Sequence, residues 1–434
     1  MSDYVKFLRD TSPYINQHRG KIFVLALSGE AIAHANFNHI VQDIALLNSL
    51  GIKLVLVHGA RPQIEQRLQT CNIPVNFDCN RRITDNATMN CVKDAVGSTR
   101  ITIESLLSMD HVNSPMHGAQ IQVVSGNFVT AKPMGVRDGI DYHHTGEVRR
   151  VHRDAILRQL AQNAIVLLSP IGYSPTGEAF NLNHEDVATQ TAVALQAEKL
   201  MMFSPDQGLA GTDGSLQKAL ELNSAASWIR TLPDADPLQH CLSACYEACQ
   251  NGVPRSHIIS FKEDGALLTE LFTRDGSGTM IMKDNLEQIR AATIEDVGGL
   301  LELLTPLEEK GVLVRRSREL LESEISQFSV LVNSEGMIAA CVALYPFDNH
   351  MSAELACVVT HPDFRGRGFA RRLLKQAEKD ARKQQLTQLF VLTTQTAHWF
   401  IENGFQESSL AQLPAEKQSL YNLQRNSKIL SKML

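Results

Sequence analysis

The 434-residue chain has eight cysteines but no Cys-x-x-C pair, so it lacks the usual redox motif and the common paired-thiolate zinc spacings. No apolar run approaches the ~18 residues that a membrane-spanning helix needs, which excludes a membrane span as an expectation. The opening MSDYVKFLRDTSPY has acidic residues early and no apolar segment, so it fits neither a secretory signal nor a transit peptide, and the expected compartment is the cytoplasm. Positive charge is also in deficit. With 41 Lys and Arg against 47 Asp and Glu, the net charge of -6 argues against nucleic acid or an anionic membrane as the main partner. Internal repeats and low-complexity segments are absent as well.

What is present is an ordinary globular composition, 44% apolar and 20% charged, in a chain long enough for two or three domains. From Lys21 to about Met282, short apolar runs (FVLALSG, KLVLVHG, AIVLLSPIG, LMMFS, HIISF) alternate with helical stretches. That alternation predicts a three-layer α/β domain with a mostly parallel sheet. Near Asp275 the polar, glycine-rich RDGSGTMIMKDN reads as a domain exit, giving a split into residues 1–280 and 281–434. After it, Thr293 with Asp296 three residues on predicts a capped helix start. Cys241, Cys245 and Cys249 fall on one face of a predicted helix; the spacing is not a usual zinc pattern, and they read as core thiols. No metal is expected.

The densest chemistry lies in ELACVVTHPDFRGRGFARRLLKQAEK. An apolar strand, Leu355 to Val359, is followed by a polar turn, and Arg365-Gly366-Arg367-Gly368-Phe369-Ala370 then opens a helix whose apolar face is Leu373, Leu374, Ala377 and Ala381. Backbone amides at a glycine-rich helix start form an anion site suited to a pyrophosphate. Arg371 and Arg372, in the first turn, read as a solvated face that also steers an anion. Glu354, at the expected start of the strand, is a candidate general base; by itself it reads equally well as a surface glutamate. Thr393, at the end of FVLTT, and Tyr421 are hydroxyls able to protonate a leaving thiolate. The Arg-x-x-Gly-x-Ala pattern between strand and helix resembles the coenzyme A loop of the GNAT N-acyltransferases. The resemblance implies a smaller α+β domain using acetyl-CoA, held by Cys357, Val358, Val359, Arg365, Gly366, Arg367, Gly368, Ala370 and Arg371.

Over nearly its whole length the chain resembles the bacterial N-acetylglutamate synthases, through SPYINQHRGK, LGIKLVLVHGARPQI, IQVVSGNFVTAKPMGV, EDGALLTELFTRDGSGT, VRRSRE, SAELACVVTHP, FVLTT, HWFIENGF and RNSKIL. In that family an amino-acid-kinase-like domain precedes a GNAT domain. The resemblance implies acetyl transfer to L-glutamate, with Glu354 as base, Thr393 beside the leaving thiolate, and the dicarboxylate held by Arg316, Arg425 and Ser427, with Cys357 nearby. Arginine is suited to gripping carboxylates, yet taken alone Arg316 and Arg425 read as surface charges. The resemblance also implies a homo-oligomer, commonly a hexamer.

The first domain resembles N-acetylglutamate kinase, whose strands end in Lys-x-Gly-Gly and His-Gly-Gly-Gly-Pro. Here they end in Ala26-Leu27-Ser28-Gly29 and His58-Gly59-Ala60-Arg61-Pro62, and NLNHEDVA puts Glu185 in the family's acidic place. Losing a lysine at the transferred phosphate removes stabilisation where charge builds up, and Arg61 fills space where glycine would admit phosphate. The domain is therefore expected to be catalytically silent. HIISFKEDGALLTELFTRDGSGT resembles the arginine site of arginine-sensitive kinases, mapping onto His257, Glu270 and Gly276, with Tyr14 on the accompanying N-terminal helix. That implies feedback inhibition by L-arginine.

Overall fold

The computed structural model describes residues 3–78, 81–110, 112, 114–211, 213–233, 236–273, 275–283, 287–333, 336–347, 351–419 and 427–434. The chain divides into two compact units, Met1–Asp284 and Asn285–Leu434. Among the described residues, no helix is long and apolar enough to cross a membrane.

The larger unit is built on an eight-stranded sheet. Its centre is the parallel set Arg255–Ser260, Lys199–Ser204, Ile22–Leu27, Lys53–His58 and Ile165–Leu168, whose residues are almost all buried. Strands covered on both faces require continuous apolar runs, which is why these segments stand out in the sequence. One pair, Arg255–Ser260 with Thr279–Met282, is antiparallel. Helices pack on both faces, giving two large apolar cores. A second sheet of four short strands, Val129–Pro133, Gly146–Val151, Ile171–Tyr173 and Ala179–Asn181, and the long helix Asn86–Leu107 were not anticipated from the pattern.

The cysteine trio lies on the helix Pro237–Gln250, fully within the core. The Cys249 thiol donates to Ile281 O at 3.3 Å, and burial pushes all three thiols up.

The smaller unit is a seven-stranded, mostly antiparallel sheet in the order Gln288–Ala291, Phe328–Val332, Ile338–Phe347, Ser352–Thr360, Gln388–Thr393, Lys428–Met433, Gln406–Glu407. The Thr293–Asp296 capping box forms, but it caps a 3-10 turn, and the α-helix runs Val297–Glu309. That helix covers one sheet face. The helix Phe369–Lys383 covers the other, burying Leu373, Leu374, Ala377 and Ala381.

Two irregularities mark the strand Ser352–Thr360. Its parallel pairing with Gln388–Thr393 is confined to Ser352–Gln388, Ala353–Leu389 and Glu354–Phe390, so the two strands part beyond Glu354. On its other edge the register with Ile338–Phe347 shifts between Cys341 and Ala343, and opposite that shift Cys357 has φ +50°. This is a β-bulge, carried by a non-glycine residue in a conformation that L-residues rarely adopt.

Candidate functional site

Glu354 does not begin the strand as expected. The strand starts two residues earlier, because Ser352 and Ala353 pair with Phe347 and Pro346, and Glu354 is only 8% exposed at the last rung before the strands part. Directly opposite it on the neighbouring strand is Tyr345, and directly paired residues share a face of the sheet. The bulge adds Cys357 to that face. Leu355 belongs to the core on the opposite side, whereas Cys357 and Val359 both join the core beneath the Val297–Glu309 helix.

Arg316 reaches the same place from the loop after that helix. Its guanidinium donates to Val314 O at 3.1 Å, and its backbone N–H donates to Glu308 at 3.2 Å. Burial works against its charge, but neighbouring Cys357, Tyr345 and Glu324 outweigh this and raise its pKa. The Tyr345 hydroxyl donates to Glu324 at 2.7 Å. Burial raises the Cys357 thiol to about 11 against the opposing pull of Arg316, so at neutral pH it is a protonated wall rather than a nucleophile. The fold thus brings together Glu354, Cys357 and Arg316 and adds Tyr345, Glu324 and Lys417, which the sequence reading missed. Strand pairing across the Ile338–Phe347 hairpin was the one available signal for Tyr345. Lys417 gives no signal of spacing.

Thr393 is three residues beyond Phe390 on the diverging strand, roughly 10 Å further along. Its hydroxyl accepts from Thr396 N at 3.1 Å and pairs with the Thr396 hydroxyl at 2.9 Å. Thr393 is paired with Lys428, so the half-buried Ser427 lies just past it. Arg425 and Tyr421 lie outside the described residues.

Past the open end of the strand, Gly366 and Gly368 have φ +79° and +77°, and a Cβ on either would meet nothing within 4 Å. Both are exposed, with Gly368 capping the helix Phe369–Lys383. Glycine is required here by backbone conformation, and the space beside it is open. Arg365 and Arg367 flank this open turn, and the Arg367 guanidinium rests over the Phe364 ring at 5.5 Å. Half-buried Ala370 lies in the first turn, on the Phe369–Lys383 helix. Arg371 donates to Asn403 at 3.1 Å, while the Arg372 charge is taken by Glu287. Val358 returns to the face that bears this helix.

In the larger unit a cavity of about 200 Å³ lies where the first two strands end, lined by Ser28, Gly29, Gly59, Ala60, Arg61 and Glu185 among others. Ala26 is buried in its strand. Arg61 is exposed, but its guanidinium is packed on a ring. It lies over one face of Phe77 at 4.7 Å, and Arg82 packs on the same ring at 4.6 Å. Burial works to raise the Glu185 carboxyl, but His184 at 2.8 Å holds it down to about 2.

At the other end of the sheet, Glu270 Oε1 is 2.6 Å from His257 Nδ1, and its Oε2 accepts from the amides of Ser277 at 2.7 Å and Gly278 at 2.9 Å. Gly276, at φ +61°, lies so close that a Cβ would meet this carboxylate at 2.6 Å. Burial, then Lys199, lowers His257 to about 4. It is therefore neutral, donating from Nδ1 to Glu270 while its bare Nε2 faces the Lys199 ammonium at 3.4 Å. Burial works to raise the Glu270 carboxyl, yet His257 and the two amides bring it below the usual range. Tyr14 is buried in the apolar core shared by its helix and Leu271–Phe272.

The amino acid kinase family matches residues 21–260, and the GNAT acetyltransferase family matches residues 299–405. The amino-acid acetyltransferase of Azotobacter vinelandii is 57% identical over the full length of both chains, and that of Pseudomonas putida 56%. The chain belongs to the amino-acid acetyltransferase family. Among solved structures, the chain is similar to the N-acetylglutamate synthase of Neisseria gonorrhoeae, with full coverage of both chains. The complex with coenzyme A and L-arginine has TM-score 0.89 at 34% identity, and that with coenzyme A and N-acetyl-glutamate has TM-score 0.63 at 35% identity.

Proposed function

We propose that the smaller unit transfers the acetyl group of acetyl-CoA to the α-amine of L-glutamate, giving N-acetyl-L-glutamate and coenzyme A. The observation that carries the reading is the parting of two parallel strands with a buried carboxylate at the closed end and an open glycine turn at the other. The pantetheine arm, with its two amides, enters between the strands and meets backbone that has left its ladder. The pyrophosphate then rests on the amides of the Arg365–Gly368 turn.

The thioester lies in the gap between Glu354 and Thr393. Glu354 removes a proton from the acceptor ammonium, directly or through water, and the freed nitrogen lone pair attacks the thioester carbonyl carbon. The carbon–sulfur bond breaks with its electron pair leaving on sulfur, the new amide nitrogen gives up its surplus proton, and a proton reaches the thiolate through the Thr393 hydroxyl, which is reprotonated in turn. Arg316 is one carboxylate clamp, kept charged by its neighbours; Arg425 and Ser427 complete the pair.

The larger unit acts as an L-arginine sensor without kinase activity. Glu270, beside His257 and the Gly276 turn, faces the effector guanidinium, and Tyr14 closes the site. Inhibition requires arginine to favour one of two arrangements of the enzyme. A cytoplasmic homo-oligomer, commonly a hexamer in such enzymes, is part of this reading.

Thiol release from acetyl-CoA across a panel of amino acids, with and without arginine, tests it. Glutamate should give the fastest release and arginine should slow it. Release with glutamate no faster than with buffer disproves the central claim. In Glu270→Ala, the ratio of rates with and without arginine should rise to one.

A further inference from the structure

The buried carboxylate of Glu354 already has a cation. Its Oε2 lies 2.6 Å from Lys417 Nζ, with the lysine side chain 23% exposed. Lys417 belongs to the short helix Ala415–Ser419. Leu413, just before that helix, is 4% exposed and packs with Phe390 and Ile429, and Phe390 is the residue paired with Glu354. The lysine is thus held over the closed end of the gap by a seat in the sheet itself. Its ε-ammonium is the same chemical group as the α-ammonium of an amino-acid acceptor.

Resting on the assignment of Glu354 as base, we propose that Lys417 occupies the acceptor's ammonium position in the empty site, so that the acceptor binds by exchanging one ammonium for another. Lys417 is a positioning residue, since it leaves before the reacting atoms meet. A carboxylate withdrawn from water without a cation is strongly disfavoured. Lys417 spares the enzyme that state and keeps the carboxylate aimed. Because the ion pair is exchanged rather than broken, acceptor arrival leaves the charge beside Glu354 unchanged. Lysine suits this role because a point charge on a flexible stem releases more readily than a guanidinium gripping both carboxylate oxygens.

Steady-state kinetics of the full chain with acetyl-CoA and L-glutamate test the exchange in Lys417→Met, Lys417→Arg and Glu354→Gln. Removing the competitor should lower the glutamate KM in Lys417→Met by about five-fold, between the effects of exposed and buried ion pairs. Lys417→Arg should raise it by a similar factor, and the acetyl-CoA KM should stay put in both. A lysine that only supports the fold would give the reverse: a damaged methionine variant rescued by arginine. The order Met below Lys below Arg in glutamate KM supports the exchange, and any other order overturns it. Should Lys417→Met fail to fold, Lys417→Gln carries the same expected fall. Glu354→Gln separates the two claims. If it keeps the wild-type rate, the base assignment fails; if it loses the rate while the lysine variants keep the wild-type KM, only the exchange fails. Absence of turnover with glutamate in the unaltered chain overturns both.

Discussion

Two strands in this molecule run into a glycine turn and a helix, and the glycines serve opposite ends. At Gly59, a Cβ would meet Gly29 N at 2.9 Å and the His184 ring at 3.1 Å, Ala60 is 3% exposed, and Arg61 lies over Phe77. Glycine is there because protein already fills the space. At Gly366 and Gly368 the neighbouring space is empty, the φ angles are positive, and the backbone faces outward. The difference teaches that a strand–glycine–helix pattern identifies a turn, while the surroundings of the missing Cβ decide whether a ligand can use it. The contrast extends to ionisable groups. His18, His58 and His257 are sealed inside the larger unit, whereas Glu354 lies at the closed end of a gap in the smaller one.

The sharpest break in that contrast is Glu354→Gln, which should lower kcat by ~100-fold or more, with little change in acetyl-CoA KM; stopped or continuous thiol-release assays measure it. An unchanged kcat removes Glu354 as base. Next comes acid sensitivity of the larger unit. Burial lowers His18, His58 and His257 to about 4, with Lys199 adding to the effect on His18 and His257. In the unfolded chain they titrate near 6.5, so as pH falls the unfolded state takes up protons first. Stability is full above about 6.5 and is lost between there and about 4, on the order of 3 kcal/mol for each histidine. Urea unfolding followed by hydrogen exchange in the larger unit should show a lower midpoint at pH 5 than at pH 7; equal midpoints would contradict the buried neutral histidines.

A paired test of the glycines comes third. Gly368→Ala forces a left-handed alanine and should raise the acetyl-CoA KM roughly ten-fold. Gly59→Ala should leave that KM alone and cost about 1–3 kcal/mol of stability through overpacking, read as a lower thermal midpoint. If Gly59→Ala raised the acetyl-CoA KM as much as Gly368→Ala, the division of roles between the turns would be lost. The smallest expected effect is none: ATP with N-acetyl-L-glutamate should release no ADP above buffer, and measurable release would restore the larger unit as a kinase.

The five central strands of the large sheet were readable from sequence because burial on both faces demands unbroken apolar runs. The Thr293–Asp296 cap and the apolar face of the Phe369–Lys383 helix were readable because both are local patterns. The four-stranded second sheet was not: its strands are short and of mixed burial, and Val129–Pro133, where buried and exposed positions fall irregularly, carries no period to detect. Glu354, Cys357 and Arg316 could be singled out, but their convergence depends on a register shift opposite Cys357 that no glycine signals. Lys417 meets Glu354 from far along the chain, a contact made by the tertiary fold alone.

The bulge at Cys357 works as a change of phase. Along a regular strand, odd and even residues keep to their own sides, and Cys357 would share the side of Leu355. One surplus residue resets the count, so that Ala356 and Cys357 both point toward Arg316's side and every later position inherits the offset, down to the turn that starts at His361. Deleting a single residue at 357 or 358 would mend the ladder with Val359 still opposite Cys341, leaving one residue where two now stand opposite Val342. The turn at His361 would keep its place, while the doubled position that sets both Ala356 and Cys357 on Arg316's side would be gone.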